Sequence, residues 1–435
     1  MALQQIDINT PQPNGKFGES TRSANIKHNS NITEVGQRLE ALEADSGGAG
    51  EAIDDLRLDL QQEVLDRQQA DADAGARIDA EQAARQQLSE SVWERLRSLA
   101  KNLLINADFD IWQRRTSGRV GVGPGSLGSE AYFADRFSAS ALNCNLDVSR
   151  GIVGAGVTSL PPRVTNAILY NVNSLGSNPA AWSGQRIEDV RSAQGQVTLS
   201  MWLNGDAGRK VGVRAIQQFG SGGSASVTTE AGLIECPTTP TLVHITFTVP
   251  STAGKTIGAN SSLYLVIDFC GGGYGGQIAS QSGAFAISEM QLEFGAAPTD
   301  FERTPEAVQL LNCQRYYQKS FPVGAVPGAG VAGGVMAPGV AFSGTAARVS
   351  QRFRVDMRAT PAVTIYRSSE TESGSANGVV LYNPSAGAWT NHANAANVSA
   401  ATSTGFQVDA FATFAMTAGF SYLSGFNWTA EAELP

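Results

Sequence analysis

Apolar residues recur at helical spacing through the first hundred positions and at strand spacing beyond them. Ile32, Val35, Leu39 and Leu42 stand three, four and three apart, which makes one short seam along a helix face. The seam breaks at Ser46, Gly47, Gly48, Ala49 and Gly50. It resumes at Ile53, Leu56, Leu60 and Val64, thins through Ala70, Ala74 and Ile78, and firms again at Leu88, Val92, Leu96, Leu99 and Leu103. A single helix over residues 51–99 would be roughly 70 Å long. Arg67, Asp71, Glu81 and Arg85 fall in or beside the seam, so this rod is too polar to hold together alone. The pattern predicts a parallel oligomeric bundle locked in register toward 88–103, with the heptads compatible with a dimer or a trimer.

Ahead of the rod, residues 1–33 carry Pro11, Pro13, Gly15 and Gly18 among polar residues. They predict an extended arm that orders on a partner. Within it, Ser20 and Ser23 can start a short helix containing Ala24, Ile26 and Lys27, ended by an Asn-rich turn.

From Asn102 the chain turns to short alternating runs separated by Gly-rich loops. Strands are predicted at 104–112, 132–139, 145–148, 167–171, 196–204, 210–219, 241–250, 262–270 and 284–294. Val197, Leu199, Met201 and Leu203 share one face and Trp202 takes the other. At 304–318 the period changes again. Thr304 is read as a cap, Pro305 as the first helical position, and Val308, Leu311 and Arg315 as one face. Further strands are predicted at 340–343, 349–357, 362–367, 378–381, 405–410 and 419–432. The expected fold is mainly β with an N-terminal α-helical stalk. Its segments are an arm at 1–33, a coiled-coil stalk at 34–101, a jelly-roll-like β-sandwich at 102–303, a linking helix at 304–319 and a distal β tip domain at 320–435.

The composition narrows the function. A formal charge of −9 argues against non-specific binding to nucleic acid or anionic membrane. No apolar run reaches the ~18–20 residues of a membrane span, and the first residues lack the basic start and apolar core of a signal peptide. Cys144, Cys236, Cys270 and Cys313 are too scattered for a zinc site and read as buried free thiols. His28, His244 and His392 lie in three different regions. The stretch 123–128 fits a GxGxxG pattern but has no βαβ unit around it. Asp108, Asp110 and Asp135 are expected to accept hydrogen bonds rather than hold calcium. No cofactor or catalytic constellation emerges, and no long β-helix repeat of a depolymerase is visible.

What remains is aromatic and polar loop chemistry. Trp182, Tyr274, Tyr382, Trp389, Asn391 and His392 lie in Gly-, Asn- or Ser-rich stretches. A sugar offers an apolar face to a ring and a rim of hydroxyls to Asn and His, which makes these six the receptor-binding candidates. Arg352 and Arg354 share a strand face with Arg348 and Arg358 nearby, and a solvated or intersubunit face is expected there.

Several stretches resemble bacteriophage tail fibre proteins. Residues 14–34 are similar to the segment by which such fibres join the tail. Residues 102–114 and 132–137 look like the opening of their carbohydrate-binding-module-like sandwich, and 185–190, 197–203, 290–295 and 299–302 look like its middle and close. Residues 313–317 and 426–434 resemble the start and finish of their distal domain. The resemblance implies an elongated homotrimer located in the virion. Its N-terminus would meet baseplate or tail proteins through Phe17, Arg22, Lys27, Asn29 and Asn31. Its β-domains would bind a host cell-surface glycan, such as lipopolysaccharide, or a surface protein. The alternatives are a polysaccharide-cleaving tail enzyme and a structural spacer.

Overall fold

The computed structural model describes residues 21–45, 50–99, 101–122, 125–154, 157–328, 335–368, 377–392 and 396–435. The chain divides into two units, Met1–Leu96 and Arg97–Pro435.

In the first unit, α1 (Thr21–Asp45) takes in the end of the expected arm, whose residues 1–20 lie outside the described residues, and the first seam, and α2 (Gly50–Leu99) takes in the rod. Arg57 Nη2 lies 3.1 Å from Glu43 Oε2 and Arg67 Nη1 lies 3.4 Å from His28 Nε2, so the two helices run antiparallel. Ile32 and Leu39 of α1 and Leu60 and Val64 of α2 line one small cavity between them. The seam around Leu39 therefore faces the chain's own second helix. Helix α1 also runs straight through Asn29, Ser30 and Asn31, where a turn was expected. There Thr33 Oγ1 donates to the Asn29 carbonyl at 2.9 Å. Tertiary packing overrides the weak helix propensity of that stretch. Leu56, Leu58 and Leu65 of α2 remain about 60% exposed, as a rod that has not covered its whole apolar content requires.

The second unit is built from antiparallel sheets. One sheet has the spatial order β1 (Ser117–Gly121), β4 (Asn145–Ile152), β5 (Asn166–Asn173), β12 (Gly283–Phe294), β7 (Gly195–Gly205) and β10 (Thr241–Val249). The other runs β2 (Glu130–Tyr132), β3 (Ser138–Leu142), β6 (Ala180–Glu188), β11 (Ser262–Cys270), β8 (Lys210–Gln218) and β9 (Val227–Glu235). Their inner faces share one core that includes the ring series Tyr170, Phe269 and Phe285, with centroids 4.4 and 5.0 Å apart. Val197, Leu199, Met201 and Leu203 are buried and Trp202 points out, as their alternation predicts. A one-turn helix α3 (Gly275–Ile278) closes the loop after β11.

Two predicted strands are absent. Residues 101–116 form no strand, although Leu104, Asn106, Phe109, Ile111 and Trp112 are all buried. Asn106 and Phe109 take left-handed φ of 57° and 59°, which coils the segment under the sandwich. The predicted strand at 132–139 is broken by a turn in which Arg136 has φ 74°, leaving β2 and β3 on either side.

Helix α4 (Glu306–Gln314) begins one residue later than expected, with Pro305 at the cap and no side-chain capping bond. Its buried residues are Gln309, Cys313 and Gln314, whereas Val308 and Leu311 are 45% and 47% exposed. The polar face turns inward because Gln309 Nε2 donates to Asp108 Oδ2 at 2.7 Å. Burial, and then the charge of Asp110, push the Asp108 carboxyl up to about 6 from 3.8. The folded chain thus holds this proton more tightly than the unfolded chain does. Stability from this group is present at low pH and is lost as pH rises from about 4 to about 6. Asp108→Asn is expected to remove that fall and to gain on the order of 2 kcal/mol at neutral pH, read as a rise in urea midpoint.

The distal sheet follows from β13 (Tyr317–Lys319). Its main path is β18 (Ala388–His392), β17 (Val379–Asn383), β21 (Ser421–Glu431), β14 (Val335–Ala341), β15 (Ala346–Arg352), β20 (Gly405–Phe411) and β19 (Ala396–Ser399), and β13 and β16 (Ala362–Arg367) pair with the far half of β21. Trp428 sits in this second core with Phe353 and Phe406, at 5.6 and 5.4 Å.

The sandwich and the distal sheet are joined by buried charge. The Arg136 guanidinium lies 3.5 Å from the Tyr316 ring centre and that of Arg114 lies 3.9 Å from Tyr317. Both arginines donate to the Glu433 carboxylate, Arg114 at 3.0 Å. Lys319 donates to the carbonyls of Gln113, Val323 and Ala325, and burial lowers its amine to about 8.

Candidate functional site

The outer face of the six-stranded sheet that begins with β1 carries a groove of about 870 Å³. It follows from strand alternation. Leu146 and Val148, Tyr170 and Val172, and Phe285 and Ile287 turn into the core. Their neighbours turn out, and register sets them in two rows. One row is Arg119, Asp147, Asn171 and Ala284. The other is Ser117, Ser149, Leu169, Ala286 and Asn204. The longer row crosses five strands, roughly 19 Å at the usual strand spacing. Ala284 and Ala286 keep the floor low, and polar side chains stand on both sides of them.

Asp147 is the fixed point of the groove. Arg119 grips it with two bonds of 2.5 and 2.9 Å, and Asn173 Nδ2 donates to it at 2.7 Å. The Arg119 hydrogen bond holds the Asp147 carboxyl below its ordinary range, and the same bond raises the Arg119 guanidinium above its own. Asp206 at the rim accepts from the Ala284 amide at 2.9 Å. The arrangement supplies hydroxyl, amide and carboxylate partners in a shallow trough. It can bind, on this geometry, a chain of polar units.

The six residues singled out from sequence do not converge on it. Tyr382 and Trp389 face one another across β17 and β18, with ring centroids 5.5 Å apart in an edge-on pair, and Trp389 is 42% exposed. They sit on a hairpin of strands rather than in a loop. Asn391 and His392 belong to β18 and pair with Val380 and Val379, while their side chains lie outside the described residues. Tyr274 is buried, its hydroxyl donating to the Val213 carbonyl at 2.6 Å and accepting from the Gly232 amide at 2.7 Å. It anchors a loop and offers no surface ring. Trp182 lies in β6, not in a loop, and is half-buried. Of the arm residues, Phe17 lies outside the described residues, and Arg22, Lys27, Asn29 and Asn31 are on α1.

The remaining candidates take structural roles. Asp110 accepts from Asn166 at 2.6 Å, and Asp135 accepts from the Gln113 amide at 2.9 Å. Among the described residues no cluster of three or more His, Cys, Asp or Glu could hold a metal. All four cysteines are buried and unbridged. Arg348 pairs with Asp409 at 2.6 Å and Arg358 donates to the Ala432 carbonyl at 2.9 Å. No described helix is long and apolar enough to cross a membrane.

Sequence reading missed the groove because each of its residues is ordinary in its own strand. The available signal was the short outward residue in Asp147 to Ser149, Leu169 to Asn171 and Ala284 to Ala286, which becomes a site only once register is known.

No protein-family model matches this chain, and no curated protein matches it. Among solved structures, the enzymatically active domain of tailspike protein 4 from bacteriophage CBA120 is similar at 13% identity and a TM-score of 0.26, over 44% of this chain and 21% of that one. The family 11 carbohydrate-binding module of a Clostridium thermocellum cellulase gives 11% identity and 0.25 over 39% of this chain and 97% of that one. The xylan-binding domain of a Paenibacillus barcinonensis xylanase gives 12% and 0.25 over 45% and 96%. The neighbours thus include a phage tailspike and carbohydrate-binding β-sandwich modules, all at low identity and low TM-score.

Proposed function

We propose that this chain is a bacteriophage tail fibre that binds a host cell-surface glycan through its β unit. In this reading it is a homotrimer held in the virion by its N-terminal residues, and it adsorbs without cleaving. The observation that carries the binding part is the groove on the outer sheet face, whose two rows of outward side chains include Asp147 fixed by Arg119. A trough of this volume falls within the range of ordinary ligand sites. The half-buried Tyr382 and the exposed Trp389 pair on the distal sheet, outside this groove.

The full chain, added in excess to susceptible bacteria, is expected to block phage adsorption and to release no reducing ends from purified host polysaccharide. Unchanged adsorption at saturating protein would overturn the reading, and released reducing ends would replace binding with cleavage. Light scattering on the same sample is expected to give three times the chain mass, and a monomer would remove the trimer. Trp389→Ala is expected to leave the affinity for isolated glycan within about twofold, since the ring is remote in sequence and sheet from the groove.

A further inference from the structure

We infer that the groove reads an uncharged oligosaccharide by hydrogen bonds, without a stacked ring, and disfavours acidic polysaccharides. This rests on the glycan-binding reading above and names the ligand class of that site. Three observations carry it. First, among the described residues no aromatic face lines the groove: Tyr170 and Phe285 contribute backbone there while their rings lie in the core, so Leu169 is the one large apolar side chain of the described lining turned into it. A ring that stacks on a sugar face has no counterpart here.

Second, the polar side chains are free to serve a ligand. Asn171, Asn204 and Ser149 make no side-chain hydrogen bond to the described residues; Asn171 lies between Asp147 and Ala284 in one row, and Ser149 and Asn204 stand at either side of Leu169 and Ala286 in the other. A carboxamide presents a donor and an acceptor side by side, which matches the neighbouring hydroxyls of a sugar. Trp202 shares this sheet face but lies one row further along β7, opposite Ser288 and Leu242, outside the groove lining.

Third, the charge is wrong for an anion. The lining holds two carboxylates, Asp147 and Asp206, and one guanidinium, Arg119, which Asp147 already occupies with two hydrogen bonds. A uronate or phosphate entering this trough would meet like charge with no free cation among the lining residues to compensate it, since Arg209 stands beside Asp206 outside the lining. A neutral ligand meets no such cost, and its affinity should not respond to ionic strength.

The test is binding of the full chain to matched panels of neutral and uronate-bearing oligosaccharides, at low and at high salt. The expected result is binding to a neutral member with affinity unchanged by salt. Asn171→Ala and Asn204→Ala should each weaken it about tenfold, while Trp202→Ala changes it less than twofold with the melting curve of each variant checked by circular dichroism. Binding confined to uronate-bearing members and lost at high salt would overturn the inference and leave glycan binding standing. Loss on Trp202→Ala with Asn171→Ala neutral would do the same in favour of a stacked ligand. No binding to either panel would overturn both.

Discussion

Glu433→Ala is expected to cost the β unit about 3–5 kcal/mol, the penalty for stranding buried charge whose partner has been removed. Glu433 is the shared anion of two guanidiniums that have almost no access to water. The Arg136 side chain is 1% exposed and that of Arg114 is 7% exposed. Burial already lowers the Arg136 pKa. Its stacking on Tyr316 and its bond to the Arg186 carbonyl remain after the mutation, so the cation stays trapped rather than swinging out to solvent. Glu433→Gln keeps acceptor geometry but not charge and should fall between wild type and Ala. Arg315→Ala is the internal control. It opens the Arg315–Glu188 pair of 2.9 Å, whose side chains are 45% and 37% exposed, and such a pair is worth under about 1 kcal/mol. Urea unfolding of the full-length variants followed by Trp fluorescence reads all three. A Glu433→Ala midpoint matching that of Arg315→Ala would mean that water reaches the clasp.

Whether an element was legible depended on whether its fold was local. Strands β7, β8, β10, β11 and β12 lie within a residue or two of the expected stretches; in β10 the period of two is written along the chain, whereas β11 is buried at every position and reads as a continuous apolar run. Residues 104–112 carry the same apolar density yet bury neighbours of both parities, including Asn106, Ala107, Asp108 and Phe109. That segment gives its backbone bonds to β12, with Leu103 N donating to the Leu292 carbonyl and Met290 N donating to that of Ala107. Its conformation is set in part by side-chain bonds to residues far away in sequence, Gln185 to the Ile105 backbone and Asn106 to the Asp135 carbonyl, and no window of sequence contains those. Helix α1 misled for the opposite reason. Its Asn-rich stretch has poor helix propensity, and the packing of Ile32 and Leu39 beside Leu60 and Val64 is a tertiary contact.

The candidate site was less legible than the fold. Aromatics in polar surroundings were the visible cue, and that cue led to Tyr274, which uses its hydroxyl inside the loop, and to Trp182, which lies in a strand. The groove depends on Asp147, Asn171 and Ala284 being opposite one another on three strands whose pairing spans well over a hundred residues. Register of that range is decided by the core residues between them, so a binding row on the outer face inherits its order from Leu146, Tyr170 and Phe285 on the inner one.

The residue on which the coiled segment turns gives the second large effect. Asn106→Ala is expected to cost about 4 kcal/mol. Its Nδ2 donates to the carbonyls of Ile111 at 2.9 Å and Asp135 at 3.0 Å, and its Oδ1 accepts from the Ile111 amide at 2.9 Å. Removing the side chain leaves the Ile111 amide and the Asp135 carbonyl without a partner, while the Ile111 carbonyl keeps the Asp135 amide, at about 1–3 kcal/mol for each group not reached by water. It also forces Ala into φ 57°, a further cost of about 1 kcal/mol. Asn106→Gly relieves the backbone but not the hydrogen bonds, so it should be less damaging than Ala by about that last amount. The bond to the Asp135 carbonyl also fixes the turn that carries Arg136, which ties this residue to the Glu433 clasp. Asn106→Ala and Glu433→Ala together should therefore destabilise by less than the sum of the two, because each loosens part of what the other loses. A double-mutant cycle in urea reads the difference, and strict additivity would show that the turn is held in place without Asn106.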